Sequence, residues 1–158
     1  MKITVACVGK IKEKYFTDAI SEYSKRLSRY VTLEICQVAD EKAPENMSEA
    51  QTLQVKETEG ERLLKVIKDS FVVALAIEGK KMTSEGFADF ISDNMVKGVS
   101  HITFVIGGSL GLSDKVLKRA DFKLSFSDMT FPHQLMRVVL LEQIYRGYRI
   151  MKNEPYHK

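Results

Sequence analysis

Apolar positions along the chain switch repeatedly between a run-like or period-two spacing and a helical one. Ile3 to Val8 is a continuous apolar, β-branched run closed by Gly9, the mark of a strand buried on both faces. Phe16, Ile20, Tyr23, Leu27 and Tyr30 then recur on one side of a helix predicted from Lys14 to Tyr30, with charges opposite. Val31 to Val38 returns to strand character, and Asp40 to Asn46, which contains Pro44, is the longest loop. Ser48 and Gln51 have the spacing of a capping box. The helix they open is polar through its middle and apolar only near Leu63, Leu64 and Ile67, so much of it is expected to face solvent.

Phe71 to Ile77 is the strongest strand signal, expected to end at Glu78-Gly79-Lys80. Thr83 or Ser84 caps a helix carrying Phe87, Phe90, Ile91 and Met95, and Gly98 stops it. Ile102 to Ile106 is another buried strand, running into Gly107-Gly108-Ser109-Leu110-Gly111, after which Ser113 caps a short helix through Leu117. Phe122, Leu124 and Phe126 alternate with Lys123 and Ser125 as a last short strand. A loop of small and polar residues follows, and Pro132 is suited to the first turn of the final helix.

That final helix carries two apolar rows. Val138, Leu141, Tyr145 and Tyr148 form one; Met136, Leu140, Ile144 and Met151 form the other, with Gly147 in the same row. A helix on the outside of a sheet needs one such row, so the second is expected to be buried against the same helix of another subunit, giving a homodimer. Strands alternating with helices imply an α/β protein with a mainly parallel sheet between helices. Ligands of such sheets sit beyond the carboxyl ends of the strands. Leu75 to Lys80, Ile106 to Gly111 and Phe126 to Phe131 are the suggestive strand ends, and all lie in the C-terminal half.

A length of 158 residues fits a single domain, 1–158, and 44% hydrophobic with 28% charged residues is the balance of an ordinary globular protein. No run approaches a membrane span and the N-terminus has no signal-like apolar core, which points to a cytoplasmic protein. Cys7 and Cys36 fall in predicted strands without CxxC spacing and are read as reduced, buried thiols. A net charge of +3 permits a nucleic-acid partner without demanding one. The cysteines and histidines do not cluster, so no metal site is expected.

The Gly107–Gly111 run exposes backbone N–H groups and lets backbone approach a ligand, yet it has neither dinucleotide nor P-loop spacing. A tight strand-to-helix turn explains it equally. The loop Ser125-Phe126-Ser127-Asp128-Met129-Thr130-Phe131 can clasp an adenosine-like ligand between apolar walls, or simply connect two elements. Glu78 can balance a ligand cation or stand in solvent. His133 reads as a structural residue of a first helical turn and His101 as a loop residue; Tyr156 and His157 form either a frayed tail or an arm over a neighbouring site. A flavodoxin-like nucleotide binder and a non-catalytic ribosome-associated module both remain compatible with these patterns.

Several motifs taken in order resemble one family. They are the N-terminal Met1-Lys-Ile-Thr-Val-Ala-Cys-Val-Gly-Lys10, the Asp40–Pro44 loop, Leu75–Lys80, Phe104–Gly111, Ser125–Gln134, Arg137–Arg146 and the terminal Tyr156-His157. Together they resemble the bacterial pseudouridine-N3 methyltransferases of large-subunit ribosomal RNA, a minimal branch of the SPOUT superfamily. The resemblance covers essentially the whole chain. It implies a deep trefoil knot within about residues 71–151 and S-adenosylmethionine bound there. By motif it assigns Leu75, Gly107, Phe126, Ser127, Asp128, Met129, Thr130 and Phe131 to the cofactor. It implies a homodimer packed through the last helix and a pseudouridine of 23S ribosomal RNA as substrate, modified on the assembled ribosome. His157 is then the candidate general base, Tyr156 a partner of the base ring, and Arg137 and Arg146 candidates for holding RNA phosphate.

Overall fold

The structure, a computed structural model, describes residues 1–157. Five strands, β1 (Lys2–Val8), β2 (Thr32–Val38), β3 (Phe71–Lys81), β4 (His101–Ile106) and β5 (Phe122–Ser125), form one sheet in the order β2-β1-β4-β3-β5. Every pairing is parallel. This is the expected architecture, and it explains the near-continuous apolar runs, because helices cover both faces of the sheet.

The period-two pleat sorts the strand residues onto those faces. Ile3, Val5, Cys7, Val73 and Phe104 point toward one buried cluster, Ala6, Val8, Val72, Ala74 and Val105 toward the other. The first face is covered by α1 (Lys14–Leu27), α3 (Ser84–Val96) and α5 (His133–Met151), the second by α2 (Glu49–Val66) and α4 (Asp114–Arg119). The Ser48–Gln51 capping box is present, and Thr83 and Ser113 each accept a backbone N–H at the start of their helices.

The last helix departs from expectation. Its second row does not need another subunit, because α5 lies between α1 and α3 and is buried on two flanks. Leu140 and Ile144 of that row are fully buried within the chain, as are Leu141 and Tyr148 of the other row. Gly147 lets α5 approach α3 closely: a Cβ there would lie 3.6 Å from the Ala88 Cα. On the opposite flank Tyr148 stacks on Tyr30, with ring centroids 5.5 Å apart. Two apolar rows are what a helix wedged between two others requires. Pro132 is also one position earlier than expected, serving as N-cap while the helix begins at His133.

The strand from Phe71 overruns its predicted end. β3 pairs with β5 at Leu75↔Leu124, slips, and pairs again at Lys80↔Leu124 and Lys81↔Ser125. Ala76 to Gly79 therefore bulge away from the ladder beside the carboxyl end of the sheet, which widens the space beyond β3, β4 and β5.

Candidate functional site

A cleft of about 900 Å³ opens at those strand ends, and it draws on all the loops the sequence singled out. Leu75 to Glu78 come from the β3 bulge, Ile106 to Leu112 from the turn after β4, and Leu124 to Phe131, except Asp128, from the turn after β5. Pro132, His133, Gln134 and Met136 of the last helix close one side. Its size is that of a small-molecule site, and its walls are mostly apolar with a few convergent polar groups.

Local chemistry fixes each wall. Gly111 turns at φ +89°, and its N–H donates to the Gly108 carbonyl at 3.1 Å, so the glycine run is a tight turn as well as a cleft wall. Gly107 faces this turn at close range: a Cβ on it would lie 2.7 Å from the Gly111 carbonyl carbon. In the loop after β5, the Met129 N–H donates to Ser127 Oγ at 3.0 Å, and Ser125 Oγ–H donates to the Ser127 carbonyl at 3.1 Å. These bonds fold the loop so that Met129 and Phe131 stand at the mouth, 74% and 41% exposed. Exposed large apolar side chains at the lip of a cleft are poorly placed for water and well placed for a ligand.

Of the residues assigned to the cofactor, Leu75, Gly107, Phe126, Ser127, Met129, Thr130 and Phe131 all line this cleft. Asp128 does not. Its carboxylate is paired to Lys81 at 2.5 Å on the outside of the loop. Glu78 does line the cleft, as does Lys56 of α2, which falls outside the 71–151 span.

Arg137 requires a correction. It was expected to hold RNA phosphate, yet it is 1% exposed. Its Nη2 donates to the carbonyls of Val8 at 2.6 Å and Gly9 at 2.8 Å, tying α5 to the end of β1. No carboxylate of the described residues pairs with it, and Nε and Nη1 are buried without partners. A guanidinium shut off in this way cannot reach a phosphate, and its role in the chain is structural. His133 stands beside it, and burial together with the Arg137 cation pushes this imidazole below its ordinary value, so it is neutral near pH 7.

The tail folds back onto its own protomer. Asn153, at φ +53°, reverses the chain, and Arg149 binds Glu154 and the Pro155 carbonyl. Tyr156 donates to Glu142 at 3.2 Å and lies under the Arg146 guanidinium, 4.7 Å from ring centroid to cation. Burial and the Glu142 charge raise the Tyr156 phenol to about 12. His157 is 2.6 Å from Glu85 and 3.2 Å from Arg146 Nη1, while Arg146 is also paired to Glu142 at 2.5 Å. Tyr156, His157 and Arg146 thus form one cluster, and none of them lines the cleft of their own protomer.

Sequence reasoning missed Glu59. This α2 carboxylate is buried, accepts the Glu41 N–H at 3.0 Å, and abuts Gly108 so closely that a Cβ there would lie 3.0 Å from Oε1. Desolvation raises its proton affinity, helped by Asp40 and Glu41. A lone glutamate in a polar helix carries no sequence signal of burial. Among the described residues no group of three or more His, Cys, Asp or Glu could hold a metal, and no helix is long and apolar enough to cross a membrane.

A parallel α/β sheet with a glycine-walled cleft beyond three adjacent strands defines a small-molecule-binding protein of the C-terminal-edge type. The chain belongs to the SPOUT methyltransferase family, whose model, described as a predicted SPOUT methyltransferase, matches residues 1–157. It is 63% identical over the full length of both chains to the ribosomal RNA large subunit methyltransferase H of Clostridium tetani. It has the same identity and coverage with the protein of that name from Bifidobacterium adolescentis. Among solved structures, a tRNA (m1G37) methyltransferase from Aquifex aeolicus superposes with a TM-score of 0.51 at 13% identity, over 92% of this chain and 70% of that one. A Legionella pneumophila protein in complex with the bound cofactor SAM gives 0.52 at 12%, over 94% and 66%. These two likenesses concern the fold.

Proposed function

We propose that this protein transfers a methyl group from S-adenosylmethionine to N3 of a pseudouridine in 23S ribosomal RNA, on the assembled ribosome in the cytoplasm. The observation that carries this reading is the cleft beyond β3, β4 and β5, in a chain 63% identical end to end to a ribosomal RNA large subunit methyltransferase H. The cleft suits the cofactor: Gly107 and Gly108 admit backbone contact, Leu75, Phe126 and Met129 offer apolar walls, and Glu78 offers a carboxylate to a cation. Bound S-adenosylmethionine supplies an electrophilic methyl group for in-line attack. The chain's own contribution is placement, since holding two reactants in line removes much of the entropic barrier.

The whole chain, 1–158, acts as one methyltransferase domain, with the C-terminal segment, within about 71–151, threading a trefoil knot around the cofactor. The working unit is a homodimer packed through the part of α5 that the chain itself leaves half-buried, where Met136, Val138 and Val139 stand. Because Tyr156 and His157 lie outside the cleft of their own protomer, they serve the cleft of the other, where His157 accepts the N3 proton and Tyr156 packs on the base. Arg146, next to them, holds RNA phosphate after exchanging its Glu142 pair.

Calorimetric titration with S-adenosylmethionine tests the cofactor half of this reading. Saturable binding to the parent, lost in a folded Gly107→Val variant, is the expected result; parent protein that binds neither alone nor with ribosomes present overturns it. Methyl transfer to unmethylated ribosomes tests the other half, and His157→Ala with a full single-turnover rate would remove the base role.

A further inference from the structure

The segment from the end of β1 into the first turn of α1 has chemistry that the cleft does not use. It runs Gly9-Lys-Ile-Lys-Glu-Lys-Tyr15 and carries three lysines against one glutamate. Lys10, Lys12, Lys14 and Tyr15 are exposed, and Tyr15, at 68%, is among the most exposed large hydrophobic residues described. Lys14 pairs with Asp18 at 2.7 Å; no ion pair holds Lys10 or Lys12 among the described residues. The Tyr15 ring has one aromatic neighbour, Phe16, tilted against it with ring centroids 4.5 Å apart.

The base of this segment is rigid and stands against the cleft wall. Gly9 turns at φ +89°, its N–H donates to the Val38 carbonyl at 2.8 Å, and its own carbonyl is held by Arg137. A Cβ on Gly9 would lie 3.4 Å from the His133 ring, and His133 lines the cleft. A basic, aromatic-bearing segment is therefore anchored, at Gly9, one side chain away from the cleft wall.

We infer that the Lys10–Tyr15 segment grips RNA next to the target nucleotide, with Lys10 and Lys12 on phosphates and Tyr15 stacked on an unpaired base. This inference rests on the proposed reaction and extends it to recognition. An exposed aromatic with flanking lysines fits a nucleic acid whose bases are free to splay, because stacking needs an exposed base and the lysines need the backbone.

The test uses the full-length protein with unmethylated 70S ribosomes and, separately, a fluorescein-labelled single-stranded 12-nucleotide RNA. Lys10→Ala/Lys12→Ala is expected to weaken binding of the short RNA about tenfold near 0.1 M salt. It should also reduce the slope of log affinity against log salt by about 1.4, the loss of two single-strand phosphate contacts. Tyr15→Ala is expected to weaken binding about tenfold with an unchanged slope, and Tyr15→Phe to restore it, since the ring and not the hydroxyl stacks. Both losses should appear as a raised KM for ribosomes, with S-adenosylmethionine affinity at the parent value. Parent protein that methylates ribosomes while the variants match it in KM and RNA affinity overturns the inference and leaves the reaction intact. A Tyr15→Ala protein whose sedimentation shifts to a smaller species also overturns it, by making the segment a contact between copies of this chain. Parent protein that transfers no methyl group refutes the reaction, and the inference with it.

Discussion

Arg137→Met separates a structural arginine from an RNA-binding one. The substitution keeps most of the apolar stem and removes the guanidinium, leaving the Val8 and Gly9 carbonyls without the Nη2 that donates to them at 2.6 and 2.8 Å. A hydrogen bond from a charged donor contributes about 1.5–3 kcal/mol, so two lost bonds cost roughly 3–6 kcal/mol. Part of that is offset, because a buried cation with no carboxylate partner has its own desolvation penalty, which the variant no longer carries. A net loss of about 3 kcal/mol is expected. With a urea m-value of about 2 kcal/mol per molar, the unfolding midpoint should fall by about 1.5 M at unchanged slope. At about 2–4 °C per kcal/mol for a chain of this size, Tm should fall by about 6–12 °C. Urea and thermal unfolding followed by circular dichroism measure both. A variant with the parent midpoint but weaker RNA affinity and a flatter salt dependence would refute the clamp and restore the phosphate role.

Two further outcomes follow from buried titratable groups. Burial holds both His101 and His133 below their ordinary value, Lys2 adding to the effect at His101 and Arg137 at His133, where Asp40 and Glu13 act in the opposite sense. The neutral form is thus favoured by folding: stability is fully present above about pH 6.5 and is lost as the pH falls through the depressed folded values, where both imidazoles must charge. His101→Gln with His133→Gln should flatten the urea-midpoint profile between about pH 7 and 5, and an unaltered profile would be inconsistent with these environments. The Cys7 thiol, pushed up to about 11 by burial, should resist a thiol reagent at pH 8 in the native protein, and Cys36, raised by burial and by Glu34, should react slowly. Both should react at once in denaturant; rapid native labelling of Cys7 would contradict its packing.

The sheet was legible because a strand covered on both faces must be nearly all apolar, and Ile3–Val8, Phe71–Ile77 and Ile102–Ile106 are, with Thr4 and Thr103 the polar exceptions. The cleft was legible because its loops combine glycine, hydroxyl and aromatic residues directly after strands. What the sequence hid has physical reasons. An arginine inside a helix reads as surface until the fold supplies carbonyls to receive it, as Val8 and Gly9 do for Arg137. Glu78-Gly79-Lys80 reads as a turn, and nothing local announces that Lys80 meets Leu124 in a second, slipped pairing. Gly79 makes that pairing possible, since a Cβ there would lie 2.7 Å from the Lys123 carbonyl carbon. The two apolar rows of α5 were read correctly as a need for two partners, but both partners belong to the same chain.

The position of α5 also sets the order in which this protein can be completed as it leaves a ribosome. Its first strand is flanked on both sides, by β2 and β4, and its last helix fills the groove between α1 and α3. The Arg137 bonds to Val8 and Gly9 join residues 129 and 128 positions apart. Until the C-terminal turns emerge, the buried flanks of α1 and α3 have nothing to pack on, and β1 lacks the clamp at its end. Nascent chains stalled before α5 should therefore be more protease-sensitive at α1, α3 and the end of β1 than the complete chain. Removing only the last helix would leave an aggregation-prone sheet rather than a smaller working enzyme.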